Sequence, residues 1–438
     1  MSKVKIDFGT KIGKMKVMHA VNNGPCVAGN VQMRGNGHTY RAARFPYARN
    51  HDASFFAGYG GEHTVDINAI FPDFDADVSS PESYDFAITD RYIKQIQDCG
   101  TKTFYRLGSK IEHEIKKYNT RVPKDFQKWA EICEHIIAHY NKGWAKGFNY
   151  GIEYWEIWNE PDLINADGTS PCWQGTEEEY FKLYTVTSKY LKSKFPDVKI
   201  GGPASVGDEE FMRRFLTSIS EEKAPLDFFS YHWYWTEPKD MSAKCTRIRA
   251  MVDEFGYRNA ETVLNEWNYV RGWLDEFVYS IEQIIGMKGA AFSAACMLEC
   301  QNNPGIDMLM YYDARPGAFN GLFDFYTYRP LKGYYSFYHF ADLYELKTQY
   351  SSVSDDPDVY AVCACDGDKA GIMISYYAED DNKGAKLIDI EINGFDLNGA
   401  KILITDKDQT DSPYPYSQIK DGKITLRLER NSVVYIEK

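Results

Sequence analysis

From residue 17 to about residue 345 the chain repeats one alternation: a short apolar run, then a stretch with helical spacing. The strand-like runs are VMHAV (17–21), RAARF (41–45), TKTFYRL (101–107), EYWEIWN (153–159), VKIGG (198–202), DFFSYHWY (227–234), TVLNEWN (262–268) and DMLMYYD (307–313). Apolar residues recur at helical intervals in AITDRYIKQIQDC (87–99), DFQKWAEICEHIIAHYN (125–141), EEEYFKLYTVTSKYLKS (177–193) and EEFMRRFLTSI (209–219). SIEQIIGMKGAAFSAACMLEC (280–300) is rich in small residues and is expected to be buried. Strands that alternate with helices run parallel, because each crossover returns the chain to the same end of the sheet. Eight such units predict an α/β fold of the closed (β/α)8 type, a TIM barrel. The alternative is a doubly wound open sheet, but no Gly-rich phosphate turn follows the first strand.

Past residue 345 the helical period disappears. The runs VYAVCAC, AGIMISYY, KLIDIEI, AKILITD, KITLRLE and VVYIEK follow one another, with the turn pairs Asp366-Gly367, Asn393-Gly394, Asn398-Gly399 and Asp421-Gly422. Such pairs close hairpins, so residues 346–438 read as a C-terminal antiparallel β-sandwich domain. KVKIDF (3–8) precedes the barrel, and residues 1–16 are expected to add a strand to that sandwich. The organisation predicted is therefore 1–16, a barrel over 17–345, and the sandwich.

A chain of 438 residues is too long for one core, in keeping with two units. A net charge of −13 without a basic run opposes binding to nucleic acid or an anionic membrane. No run of apolar residues is long enough to span a bilayer. MSKVKIDFGTKIGKM lacks the apolar core of a secretory signal. Nine scattered cysteines have no framework spacing, and CAC at 363–365 is too tight for a zinc knuckle. Reduced thiols in a cytoplasmic protein are the expectation. Metalloprotease, phosphate-loop and dinucleotide motifs are all missing, so neither a metal nor a cofactor is expected. Asp73, Asp75 and Asp77 lack the glycine and terminal glutamate of a calcium loop and read as a solvated acidic turn.

In a (β/α)8 barrel the working groups gather at the C-terminal ends of the strands. Those ends carry Asn159, Glu160 and Pro161 on the fourth run, His232 and Tyr234 on the sixth, and Asn265 and Glu266 on the seventh. Arg49, Asn50, His51 and Asp52 follow the second, and Asp313 and Arg315 the eighth. Polar groups half-buried at strand ends are costly unless they are used. Strands four and seven face each other across the barrel, so Glu160 and Glu266 oppose one another. Glycoside cleavage needs such a pair: one carboxyl protonates the leaving oxygen, and the other attacks or activates water at the anomeric carbon. An isolated strand-end glutamate is ordinarily a salt-bridge partner. Asn-Glu-Pro closing a run as apolar as YWEIW is what marks Glu160. Alternation points Asn159 and Glu160 opposite ways, so the strand must bend there for both to reach a pocket, and Pro161 suits such an end. On the same rule Asn265 is expected in the helix layer. Trp155 and Trp158 fill the barrel, with Trp158 also a pocket candidate. Trp233, Trp235 and Trp267 are candidate sugar platforms. Arg315 either meets a substrate or pairs with Asp313.

WEIWNEPD resembles the acid/base segment of the clan A glycoside hydrolases, retaining enzymes on a (β/α)8 barrel. NNGP (22–25), the His51-Asp52 pair, FFSYHWY (228–234), LNEWN (264–268) and the trailing sandwich extend the resemblance over nearly the whole chain. Together they point to glycoside hydrolase family 39, the β-xylosidase and α-L-iduronidase family. The resemblance implies Glu160 as acid/base, Glu266 as nucleophile and Asn159 as the ligand of the sugar 2-hydroxyl. It implies that His232 and Tyr234 orient the nucleophile and line the glycone pocket, and that His51 contacts the glycone. Segment 44–77 is longer and more acidic than the family pattern and would wall that pocket. The activity so implied is a retaining exo-glycosidase acting on oligosaccharides or glycosides, with β-xylosidase first. Release of arabinose, glucose or a uronic acid is the alternative, then a catalytically inactive carbohydrate-binding barrel, then transglycosylation. The sandwich is expected to give packing support or a homo-oligomer contact.

Overall fold

The computed structural model describes residues 2–26, 35–51, 64–113, 115–415 and 418–438. It opens with strand β1 (Ser2–Lys14), and the barrel starts at β2 (Val17–Asn22), followed by α1 (Gly37–Ala42), β3 (Tyr47–Arg49), α2 (Ile67–Ile70), α3 (Ala87–Asp98) and β4 (Lys102–Leu107). Next come α4 (Phe126–Lys142), β5 (Tyr154–Ile157), α5 (Glu177–Lys194), β6 (Lys199–Ser205), α6 (Glu209–Glu221) and β7 (Phe228–Trp235). The circuit is completed by α7 (Pro238–Glu254), β8 (Glu261–Tyr269), α8 (Phe277–Ile284), α9 (Met287–Asn302), β9 (Met308–Tyr311) and α10 (Lys332–Glu345). Strands β2 to β9 pair in chain order, all parallel, and β9 closes back on β2. This is the eight-stranded barrel that the alternation predicts.

Local chemistry fixes the helix starts. Asp125 and Asp208 accept backbone N–H groups at the heads of α4 and α6, and Thr176 with Glu179 forms a reciprocal capping box on α5. One expected strand is wrong. RAARF (41–45) lies at the end of α1 and in the turn after it, with Tyr40 and Ala43 buried on a helical face. The second barrel strand is Tyr47–Arg49, three residues between Pro46 and Asn50, too short to show a period. Asp52, expected at its end, lies outside the described residues. The expected helix at 280–300 is two helices, α8 and α9, which meet at Ile285 and Gly286. Around Asp73–Asp77, aspartate side chains accept N–H groups two residues on, Asp73 from Asp75 at 3.0 Å and Asp77 from Ser79 at 2.9 Å, as in Asx turns.

Strand alternation stacks the barrel interior in layers. Ala20, Tyr47, Phe104, Tyr154, Phe228, Val263 and Met308 form an apolar plug. Two residues further along six of these strands the inward positions turn polar: Asn22, Arg49, Arg106, Glu156, Ser230 and Asn265, each fully buried, while Met310 on β9 stays with the plug. The site rests on this second layer.

Strands β10 (Thr348–Ser354), β11 (Val359–Asp366), β12 (Lys369–Tyr376), β13 (Lys386–Asn393), β14 (Lys401–Thr405), β15 (Ser412–Pro413), β16 (Lys423–Leu428) and β17 (Ser432–Glu437) complete the chain. With β1 they form one nine-stranded sheet in the order β15-β14-β17-β12-β11-β10-β1-β13-β16. β1 lies antiparallel to β10 and parallel to β13. One face shares a core of Val4, Ile6, Ile372, Ile390, Leu426 and Val434. The other face sends Tyr360, Val362, Met373 and Tyr435 into the core of the barrel, so the two units pack as one body. Among the described residues no helix is long and apolar enough to cross a membrane.

Candidate active site

Both Asn-Glu dipeptides sit where a strand departs from regularity. β5 stops at Ile157, and Trp158 and Glu160 take left-handed backbone angles, with φ of 77° and 46°. These reversals are held by Trp158 N donating to Leu107 O (2.8 Å) and Glu160 N donating to Ala204 O (2.9 Å). They turn Asn159 and Glu160 toward the barrel mouth together, which a regular strand cannot do. On β8 the register against β7 slips: Tyr231 pairs with Leu264, but His232 pairs with Glu266. The extra residue is a bulge, and it aims Asn265 and Glu266 both inward. The expectation that Asn265 enters the helix layer is therefore overturned. Its Nδ2 donates to Glu156 Oε1 at 2.5 Å in the polar layer.

His232 and Tyr234 follow from plain alternation on β7, where Phe228 and Ser230 already face inward. His232 Nδ1 lies 2.7 Å from Glu160 Oε1 and 3.5 Å from Glu266 Oε2. Tyr234 donates to Glu266 Oε2 at 2.7 Å. His51 Nε2 lies 3.9 Å from Glu266 Oε1. Arg49 is fully buried beneath them: Nε donates to Glu156 Oε2 (2.7 Å), Nη1 to Glu266 Oε1 (2.7 Å) and Asn22 Oδ1 (3.2 Å), and Nη2 to Asn159 Oδ1 (2.6 Å). Asn159 thus spends its oxygen on Arg49, while its Nδ2 has no partner among the described residues. It is a donor waiting for an acceptor.

One oxygen from each of Glu160 and Glu266 and a nitrogen of His232 lie within 4.8 Å of one another. Burial pushes the Glu266 carboxyl up, a shift that His232, the Arg49 charge and the Tyr234 hydroxyl oppose. Burial pushes His232 down to about 4 and, with the Arg49 and Arg106 charges, holds His51 well below the usual histidine range. Both imidazoles are neutral near pH ~7. Burial, and then the Glu266 charge, hold the Tyr234 phenol protonated. Glu160, His232 and Glu266 also have the composition of a metal-ligand set. However, His232 Nδ1 and Glu160 Oε1 at 2.7 Å stand at hydrogen-bond distance. Two ligands of one tetrahedral zinc ion, with ~2.0–2.2 Å bonds, stand about 3.3 Å apart. The arrangement fits proton exchange better than metal binding.

These groups open into a cavity of about 640 Å³ lined by His51, Glu160, His232, Tyr234, Glu266 and Tyr312, and further out by His113, Asn165, Trp233, Trp235, Trp273 and Phe319. Trp158 does not line it. Its ring lies against Gly108, its Nε1 donates to Cys172 O at 2.8 Å, and Trp129 and Trp173 flank it, so it is packing. Trp155 and Trp267 are likewise fully buried in the barrel core. Arg315 is also absent from the lining; its Nε lies 3.7 Å from Asp313 Oδ2. Sequence reasoning missed Glu156, the central place of Arg49, and the lining residues Trp273, Tyr312 and Phe319. Alternation from Tyr47 would have turned Arg49 inward, had the second strand been located.

A family model described as Glycosyl hydrolases family 39 matches residues 3–280. A beta-xylosidase of Geobacillus stearothermophilus is 27% identical over 232 residues, 45% of this chain and 44% of that protein. A beta-xylosidase of Caldicellulosiruptor saccharolyticus is 27% identical over 252 residues, 54% of this chain and 46% of that protein. The chain thus spans less than half the length of these curated relatives. Among solved structures, a glucosidase from Croceicoccus marinus superposes with a TM-score of 0.81 at 21% identity, over 100% of this chain and 98% of that one. A monomeric beta-xylosidase from Caulobacter crescentus CB15 gives 0.72 at 16% identity, over 100% and 99%. At these identities the likeness is one of fold.

Proposed function

The chain belongs to glycosyl hydrolases family 39, and from that premise we propose that it is a retaining exo-glycosidase releasing a terminal β-linked xylose. The carrying observation is the approach of Glu160 and Glu266 to within 4.8 Å. Retaining pairs stand ~5–5.5 Å apart, whereas inverting pairs need ~6.5–9.5 Å to admit a water. Glu266, oriented by Arg49 and Tyr234, attacks the anomeric carbon. The bond to the leaving oxygen breaks, and that oxygen takes the electron pair and the proton of Glu160. A glycosyl ester on Glu266 results. Water then attacks the same carbon, gives a proton to Glu160 and frees Glu266, so configuration is kept. His232, neutral and with its hydrogen on Nδ1, donates to Glu160 Oε1 and fixes that carboxyl through both steps. Asn159 Nδ2 is the donor for the sugar 2-hydroxyl.

Xylose as the sugar is supported by the two curated relatives, both named beta-xylosidase. A uronic acid would need a cation, and no Lys or Arg is among the described residues that line the cavity. All nine cysteines are free thiols, seven of them buried, which supports a reducing, cytoplasmic setting. A panel of aryl xylosides, glucosides and arabinosides tests the sugar. Glu266→Ala tests the mechanism: turnover is lost, and azide restores it with inverted product. Near-normal activity in that variant would remove Glu266 from the role.

A further inference from the structure

The cavity changes character with depth. Around the two glutamates it is polar. The outer wall, built by the loops after β4, β5, β6 and β8 and by the end of β7, is lined by Ile111, Leu163, Val206, Trp235, Trp273 and Leu274. Three of these are exposed large apolar side chains: Trp235 at 42%, Trp273 at 56% and Leu274 at 87%. Such side chains gathered at one rim mark a surface that something apolar covers. Apart from Glu160 and Glu266, no carboxylate, lysine or arginine is among the described lining residues. We propose that this outer half binds an apolar leaving group, an aryl or alkyl alcohol carried on the sugar, in place of the second sugar of an oligosaccharide. The inference rests on the glycosidase reading above and deepens it.

The leaving oxygen must stand at Glu160, so what it carries extends along the neighbouring loops, where Leu163 and Val206 lie. Indole faces also stack on sugars. A sugar, however, brings several hydroxyls that lose water on entry and must be bonded again. Beyond the glutamate centre the described rim offers only His113, Asn165 and the indole N–H groups of Trp233 and Trp273 for that purpose, and Asn165 Nδ2 already donates to Thr169 Oγ1 at 3.2 Å. Ile111, Leu163, Val206 and Leu274 offer a hydroxyl nothing. An apolar alcohol brings no hydroxyl that must be bonded again there, and its burial is favourable by area alone.

Methyl and hexyl β-D-xylosides carry leaving alcohols of similar acidity and differ in apolar length, so they separate binding from chemistry. A fully buried methylene is worth about fourfold, and on a half-open rim the five added methylenes are expected to lower KM roughly tenfold. Xylobiose is expected to bind no better than methyl xyloside. Leu274→Asn, at an exposed position that leaves the core intact, is expected to raise the hexyl KM several-fold more than the methyl KM. A KM flat from methyl to hexyl, or xylobiose binding tenfold tighter than hexyl xyloside, overturns the inference. If glucosides are cleaved and xylosides are not, methyl and hexyl β-D-glucosides with cellobiose give the same comparison. If no glycoside is cleaved, the glycosidase reading fails. Tryptophan fluorescence titrated with the methyl and hexyl glycosides then decides the inference: tighter hexyl binding sustains it and equal binding overturns it.

Discussion

The Arg49 guanidinium donates four hydrogen bonds and is closed to solvent, with Glu156 and Glu266 as its two anionic partners. Removing one member of a buried ion pair strands its partner, at ~3–5 kcal/mol. Arg49→Met is therefore expected to lose about that much stability in urea unfolding. Its kcat should fall at least a hundredfold, because Glu266 and Asn159 lose their common anchor. Asp162 gives a different residue-scale test. Its Oδ2 accepts from Ser205 Oγ at 2.6 Å and its Oδ1 from Val206 N at 3.1 Å, yet burial raises its carboxyl from 3.8 to about 7. Between those values the folded chain holds a proton that the unfolded chain has released. The contribution is full below the lower value and is lost as pH rises toward the upper one. Asp162→Asn cannot ionise, so its Tm relative to the wild type should climb from about pH 5 to about pH 8. A flat difference would contradict the assignment.

At the scale of elements, β5 ends in a turn braced from the neighbouring strand. Gly108, just past β4, has φ of +123°, and a Cβ there would meet Cε3 of the Trp158 ring at 2.8 Å. Gly108→Ala is expected to cost ~1–3 kcal/mol and to lower kcat more than it raises KM, because Trp158 is contiguous with Asn159 and Glu160. Steady-state kinetics beside a denaturant curve read both. The same elements explain what was legible in the sequence. His232 and Tyr234 follow from a period of two on an eight-residue strand. Both Asn-Glu ends were visible as residues, but the bulge on β8 was not, because a register slip leaves no mark in one strand's own sequence. Hence Asn265 was assigned to the helix layer. The second strand was misplaced because three residues carry no period, and Arg49 was placed past that strand's end for the same reason. Trp158 and Arg315 each carry two readings in the sequence, and packing on Gly108 and an ion pair with Asp313 select the structural one.

At the scale of the molecule, the sheet reaches the site through Glu379. Its carboxylate accepts from Tyr269 Oη at 2.9 and 3.0 Å, Arg271 Nε at 3.0 Å and Tyr377 Oη at 3.0 Å, and Lys288 Nζ lies 3.1 Å away. Arg271 stands two residues before Trp273, whose ring packs on Tyr234 at 5.1 Å. Glu379→Ala is expected to cost about 1.5–3 kcal/mol and to raise KM with kcat little changed, since it loosens the wall and leaves the carboxylates alone. Calorimetry should show a single transition at lower temperature, because the inner face of the sheet belongs to the barrel core.

The position of β1 has a consequence in time. It is made before the barrel, yet its partners are β10 and β13, residues 348–354 and 386–393. At roughly 5–20 residues per second a ribosome takes tens of seconds to reach them. Throughout that interval the segment has neither of its partners, while the barrel that follows it is being made. Its exposed face carries Lys3, Lys5, Lys11 and Lys14, charges of the kind that discourage a waiting edge from pairing with a stranger.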